Sequence, residues 1–189
     1  MGYPNSLWNN YTDENESPLE HSPADFIYHM SLGLGSKTIC EFGCNVGNNL
    51  TGFPSSVEVT GVDLNKHAIE KASKIYPSFN FKQSDISFTP FDDSSSDLVF
   101  TRGVLIHIPD ESLDSVLTEM LRVSKKWIFN LEYFGDDGKM INWKRGDDLL
   151  WYRNMHERWS KFDVEILSDI QLPLSMDSGN TKFTLIRKK

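Results

Sequence analysis

Cysteine is scarce: the 189 residues contain two, Cys40 and Cys44. Two thiols build neither a disulfide framework nor a four-ligand zinc site, and their C-x-x-x-C spacing misses the C-x-x-C redox motif. No metal site is expected. No apolar run approaches the ~20 residues that span a bilayer. The stretch MGYPNSLWNNYTDENE lacks the basic and apolar segments of a secretory signal. The expectation is a cytoplasmic chain without membrane contact. Basic residues are in deficit too, 19 Lys and Arg against 27 Asp and Glu, for a net charge of −8. Nucleic acid rewards Lys/Arg clusters, so none is expected as a partner. Composition assigns no oligomeric state.

What remains is ordinary for a globular protein, 39% hydrophobic and 24% charged. The length fits one domain over residues 1–189. Residues 1–20 are polar and lack apolar periodicity, yet contain Trp8 and Tyr11. They read either as a frayed arm or as a lid that orders over a ligand. Ser22-Pro23-Ala24-Asp25 then reads as a cap and first turn of a helix carrying Phe26, Ile27 and Met30.

From Thr38 a rhythm of strands and helices sets in. Strands are expected at 38–42, 57–63, 79–81, 97–100 and 127–131. One helix is capped by Asn65, and another, capped by Asp110, carries a stripe of Leu113, Val116, Leu117, Met120 and Leu121. Residues 133–160, rich in Asp, Trp, Arg and Gly, read as an insertion. Strands at 162–167 and 183–186 close the chain; with no room for a helix between them they are expected to be antiparallel. The pattern predicts an α/β fold, a doubly wound and mainly parallel sheet.

Ligands in such sheets sit beyond the carboxyl ends of the strands. The loop after the first strand reads Glu41-Phe42-Gly43-Cys44-Asn45-Val46-Gly47-Asn48-Asn49. Asn at 45 and 48 breaks the nicotinamide fingerprint, and no Gly-Lys-Ser/Thr of a nucleotide-phosphate loop is present. Asp63 ends the second strand, placed to accept hydrogen bonds from ribose hydroxyls. Asp85 and Ile86 follow the third, suited to an adenine amino group and ring. In that order the three elements point to an adenosine-containing ligand.

At these positions the sequence resembles the class I S-adenosylmethionine-dependent methyltransferases, from about Ser36 to Leu131. More narrowly, Gly43 to Leu50, Gly103-Val104-Leu105-Ile106-His107-Ile108 and Glu132-Tyr133-Phe134 resemble the small methylases associated with pseudaminic acid biosynthesis. Arg145-Gly146 and Leu150-Trp151-Tyr152-Arg153 are similar to that family's Arg-Gly and Leu-aromatic-Arg segments. The superfamily's middle glycine is Asn45 here. The resemblance implies seven strands with the last antiparallel, and S-adenosyl-L-methionine as cofactor. It implies Glu41, Gly43, Cys44, Gly47 and Asn49 around the methionine portion, Asp63 and Leu64 at the ribose, and Asp85 and Ile86 at the adenine. Thr101, Arg102 and Leu105 would pass beneath the sulfonium.

For the acceptor, expected to be a small and anionic metabolite, the residues support two readings each. His107 is a base or a packing histidine ahead of Pro109. Glu132 and Tyr133 are acceptor-facing, or Glu132 is a hydrogen-bonded structural carboxylate. Arg145 and Arg153 are anion anchors, since guanidinium suits carboxylate or phosphate, or partners of nearby acids. Trp8 and Tyr11 join the substrate set if the arm is a lid. A methylase of a natural-product or peptide carboxylate or amine, and a non-catalytic adenosylmethionine-binding protein, are the alternatives.

Overall fold

A computed structural model describes residues 5–15, 23–176 and 180–189. The strands are β1 (Thr38–Phe42), β2 (Glu58–Asp63), β3 (Asn80–Gln83), β4 (Ser96–Arg102), β5 (Ser124–Tyr133), β6 (Val164–Gln171) and β7 (Thr181–Lys188). The helices are α1 (Asn5–Glu14), α2 (Ala24–Gly33), α3 (Lys66–Ile75), α4 (Asp110–Val123) and α5 (Met155–Trp159). All seven strands form one sheet in the order β3-β2-β1-β4-β5-β7-β6. Neighbours are parallel from β3 through β5, and β7 runs antiparallel to both β5 and β6. The mainly parallel α/β sheet with an antiparallel last strand is as the sequence predicts.

Alternation along the strands splits the core into two layers, because successive side chains leave a strand on opposite faces. Cys40, Val99 and Ile128 meet the α4 stripe of Leu113, Val116, Leu117 and Met120, together with Met155 and Trp159 of α5. Ile39, Leu98, Phe100, Phe129 and Leu131 face the other way, onto Ile27 of α2. The α4 stripe forms as read. Its cap does not: Asp110 is the first helical residue and Pro109 precedes it without a side-chain cap. The Asp110 carboxylate is drawn off by Arg153 and Arg158 at 2.7 and 3.0 Å. Ser22, expected to cap α2, lies outside the described residues, and Pro23 occupies the cap position.

Two further departures come from tertiary pairing overriding local pattern. β6 extends to Gln171 because β7 supplies partners as far as Lys182, across an irregularity between Ile166 and Ser168. The polar arm forms helix α1. Its inward face carries Trp8, Tyr11 and Thr12, spaced i, i+3, i+4, with Asn15 just past its end; aromatic and polar residues mix there, so an apolar count overlooks it. Among the described residues no helix is long and apolar enough to cross a membrane.

Candidate functional site

The loop leaving β1 is folded against two neighbours. Gly43 and Cys44 both donate backbone N–H bonds to the Val62 carbonyl, at 2.7 and 3.0 Å. At Gly43 φ is +74°, and a Cβ there would stand 2.4 Å from Val104 Cγ2, so only glycine fits. Asn45 takes φ +46°. Asparagine is among the few residues that tolerate the left-handed region, which explains how it stands where the methyltransferase pattern has glycine.

Asp63, at the end of β2, fixes this loop from the other side. Its Oδ2 accepts from Asn45 N at 2.9 Å and its Oδ1 from Asn65 N at 2.8 Å. Burial pushes its carboxyl up, while the amides of Asn65, Asn45 and Leu64 pull it back towards the anion. Beside it, Leu64 is 63% exposed. A surface groove of about 340 Å³, lined by Asn9, Leu64, Asn65, His67 and Gln83 among others, opens here. Asp85 is exposed, and its Oδ1 accepts from the amide and hydroxyl of Ser87 at 2.8 and 2.7 Å. Ile86 does not stay in the cleft as expected. It is buried in the core layer shared with Phe42 and Val62, while Leu64 and Phe88 stay exposed.

Glu41 is fully buried on β1, with Oε1 accepting from Asn49 Nδ2 at 2.6 Å. Burial pushes its carboxyl up to about 8; the Asn49 bond and the charge of Arg102 oppose this, and Asp63 adds to it. Glu41 Oε2 and Asn49 Oδ1 are buried without a hydrogen-bond partner. Two orphaned buried oxygens fit an ammonium donor, the group on the methionine end of S-adenosylmethionine, whose charge would return Glu41 to its carboxylate form. Cys44 is also buried, and burial pushes its thiol far above the ordinary value. It is a wall, not a nucleophile.

Beyond β4 and β5 the expectations divide. Thr101 and Leu105 turn away from the cleft. Thr101 is buried, accepts from Asn130 Nδ2 at 2.8 Å and hydrogen-bonds Glu132. Leu105 sits in the core beneath a 3-10 turn, Leu105–His107. Arg102, between them, is partly exposed, and its charge acts on both Glu41 and Tyr11. Glu132 is buried and spends its carboxylate on backbone: Oε2 accepts from Val104 N at 3.1 Å and Ile106 N at 3.3 Å. Burial pushes it up to about 7, against the Thr101 hydroxyl and the loop amides. It shapes the loop after β4 and does not face an acceptor. Trp159 Nε1 extends this network, donating to Asn130 Oδ1 at 2.6 Å. Tyr133 ends β5, partly exposed, and its carbonyl accepts from Arg153 N at 2.8 Å.

Arg153 is not an anion anchor. Its side chain is fully buried and its donors go to the Leu105 and Ile108 carbonyls and to Asp110. Arg158 pairs with Asp110 and with Asp137, the latter at 2.6 Å. Arg145 instead pairs with Glu14 across the chain and lies 5.1 Å from the Tyr11 ring and 5.6 Å from the Trp143 ring. His107 joins that cluster, 5.1 Å from both Trp8 and Trp143. Its Nδ1 is 2.6 Å from the Leu149 carbonyl. Only the tautomer with hydrogen on Nδ1 satisfies that carbonyl, so Nε2 carries the lone pair. Burial lowers its pKa to about 4, against the Leu149 bond, and keeps the ring neutral near pH 7. Among the described residues no group of three or more His, Cys, Asp or Glu is placed to hold a metal ion.

Sequence reasoning missed Thr12 and Glu14. Thr12 is buried, donates to Asn45 Oδ1 at 2.8 Å and accepts from Asn65 Nδ2 at 3.1 Å. Its spacing of four from Trp8 was the available signal.

Residues 39–126 match the family model described as a methyltransferase domain, a little under half of the chain. A Bacillus subtilis protein whose name provisionally assigns it to 23S rRNA (guanine-N(1)-) methylation is 34% identical over 90 residues, covering 44% of this chain and 32% of that protein. The chain thus spans about a third of that relative's length. Among solved structures, a Methanosarcina mazei SAM-dependent methyltransferase superposes with a TM-score of 0.70 at 21% identity, over 86% of this chain and 96% of that one. The 1,6-didemethyltoxoflavin-N1-methyltransferase of Burkholderia thailandensis, solved with 1,6-didemethyltoxoflavin and S-adenosylhomocysteine, gives 0.74 at 15% identity, over 97% and 84%. The fold is the Rossmann-like fold of these methyltransferases.

Proposed function

We propose that the chain is an S-adenosylmethionine-dependent methyltransferase acting on a small anionic metabolite. The pair of orphaned acceptors, Glu41 Oε2 and Asn49 Oδ1, carries the cofactor part of this reading. They would hold the methionine ammonium, with the turn of Gly43, Cys44 and Gly47 around the chain that follows it. Asp63 would accept from the ribose hydroxyls with its remaining lone pairs, and Leu64 and Asp85 would border the adenine. Arg102 would place positive charge near the methionine carboxylate.

When bound, the cofactor supplies an electrophilic methyl group, and the protein's task is alignment, with reacting atoms ~3–3.5 Å apart. Glu132 contributes by fixing the amides of residues 104–106, the floor on which the acceptor meets the methyl. His107, neutral and with Nε2 as acceptor, takes the proton of an acceptor hydroxyl. Trp8, Tyr11 and Trp143 provide flat faces and Arg145 a positive charge for the acceptor's anionic group, in a protein whose overall charge of −8 repels anions. That same overall charge supports a small acceptor over the RNA named for the Bacillus relative. The motifs 103–108 and 132–134 support a sugar acid of the nonulosonic kind.

Incubation with cofactor carrying a deuterated methyl and a metabolite extract, read by mass spectrometry, tests the reading. The expected result is a label on an anionic compound of low mass. Label found only on RNA or protein, or none with cofactor bound, would remove it.

A further inference from the structure

Helix α1 spans both halves of the site. On the cofactor side, Thr12 bonds Asn45 and Asn65, the Asn15 carbonyl accepts from Asn48 Nδ2 at 2.8 Å, and Asp13 pairs with Lys71 and His67. On the acceptor side, Trp8 lies against His107 and Trp143, and Glu14 pairs with Arg145. The two partners of this last pair differ. The Arg145 side chain is 17% exposed, framed by the rings of Tyr11 and Trp143 at 5.1 and 5.6 Å, whereas Glu14 is 57% exposed at the rim. The cation is built into the site and its carboxylate partner is not.

A guanidinium whose faces are set against aromatic rings offers its N–H edge, and that edge recognises carboxylate and phosphate alike. Here the edge is taken by a carboxylate of the chain itself, carried on the last residue of α1. We propose that Glu14 is the resident occupant of the acceptor's anion subsite, and that an acceptor carboxylate or phosphate exchanges with it on Arg145. This rests on the methyltransferase reading above and deepens it. Exchange frees the end of α1 from the insertion while Thr12 still ties the helix to the cofactor loop. Glu14 acts as a specificity filter, because a neutral acceptor gains nothing from displacing it. If the pair is closed about nine-tenths of the time, the acceptor's apparent affinity is about tenfold weaker than that of the open site.

Sodium phosphate and sodium acetate, titrated at constant ionic strength and followed by tryptophan fluorescence, test the exchange. Glu14→Gln, which keeps the shape and removes the charge, should bind at least one of the two anions about tenfold more tightly than the native chain. The two arms tell phosphate from carboxylate recognition. Arg145→Ala should abolish that binding, and Arg145→Lys should retain only part of it. Glu58→Gln, which removes the same charge at the amino end of the sheet, should stay within about twofold of native. Equal anion affinity in the native chain and Glu14→Gln, no binding in either, or binding that survives Arg145→Ala would overturn the exchange. A parallel titration with S-adenosylhomocysteine separates the two failures. If it binds and the anions ignore Glu14, only the exchange falls; if it does not bind, the methyltransferase reading falls.

Discussion

Between Leu149 and Trp159 the insertion is part of the interior. Leu149, Leu150, Met155 and Trp159 are buried, and Arg153 donates from Nε, Nη1 and Nη2 to Leu105, Asp110 and Ile108. Between Met140 and Gly146 the same insertion is tied by two isolated strand bridges, Met140 to Trp151 and Trp143 to Gly146, and by aromatic and ionic contacts with α1. A fully buried arginine bonded to backbone carbonyls holds structure together; one whose partner is a rim carboxylate from a distant segment can exchange it. Eight positions apart, Arg145 and Arg153 fall on opposite sides of that line.

His107 sits where the two regions join, bonded to Leu149 and facing Trp143, and the largest expected effect is there. With a hydroxyl acceptor, His107→Ala lowers turnover by about 10²–10⁴-fold while S-adenosylhomocysteine affinity is kept. The same residue also sets a pH slope. Its folded pKa of about 4 lies below the ordinary 6.5, so the unfolded chain binds more protons between those values. The stability this contributes is complete above pH 6.5 and is lost as pH falls through 4, on the order of 3 kcal/mol. Glu132 and Glu41, pushed up to about 7 and 8, act oppositely; their contribution is present below pH 4.5 and lost as pH rises through those values. Denaturation of His107→Gln across pH 4 to 8 should therefore show the stability optimum moved to lower pH.

Next in size is Arg153→Ala, which strands the carbonyls of Leu105 and Ile108. Urea unfolding should show a loss of about 3–5 kcal/mol, the usual cost of removing one partner from a buried charged network. A stable Arg153→Ala protein with weakened acceptor binding would erase the contrast between the two arginines. The smallest effect belongs to Arg145→Ala: about a tenfold rise in the acceptor's KM, or 1.4 kcal/mol. S-adenosylhomocysteine affinity should stay within about twofold. Lysine at 145 rescues only in part, since it lacks the planar fork.

The cofactor side was legible because its loops leave strands directly, so Gly43 and Asp63 stand where strand order puts them. Strand parity then sorted the neighbours in ways a motif does not show. Thr101 lies within β4 and Ile86 follows β3, but both point into the core, where Thr101 joins Asn130 and Glu132. The acceptor side hid more. Glu14 and Arg145 are 131 positions apart, and the inward face of α1 mixes aromatic with polar residues, so its helical period carries no apolar signal. The sequence around Glu132 supports two roles, and the bonds from the amides of Val104 and Ile106 decide between them.

On the proposed function, the carboxyl edge of β1 and β2 binds the methionine and ribose of S-adenosylmethionine. Calorimetric titration of S-adenosylhomocysteine, with NAD as comparator, into the native chain and Asp63→Ala tests it most directly. The expected result is saturable binding of S-adenosylhomocysteine, none of NAD, and affinity about 10- to 150-fold weaker in a folded Asp63→Ala, the value of a charged hydrogen-bond acceptor. An unchanged dissociation constant in the folded variant, or preference for NAD, would contradict it.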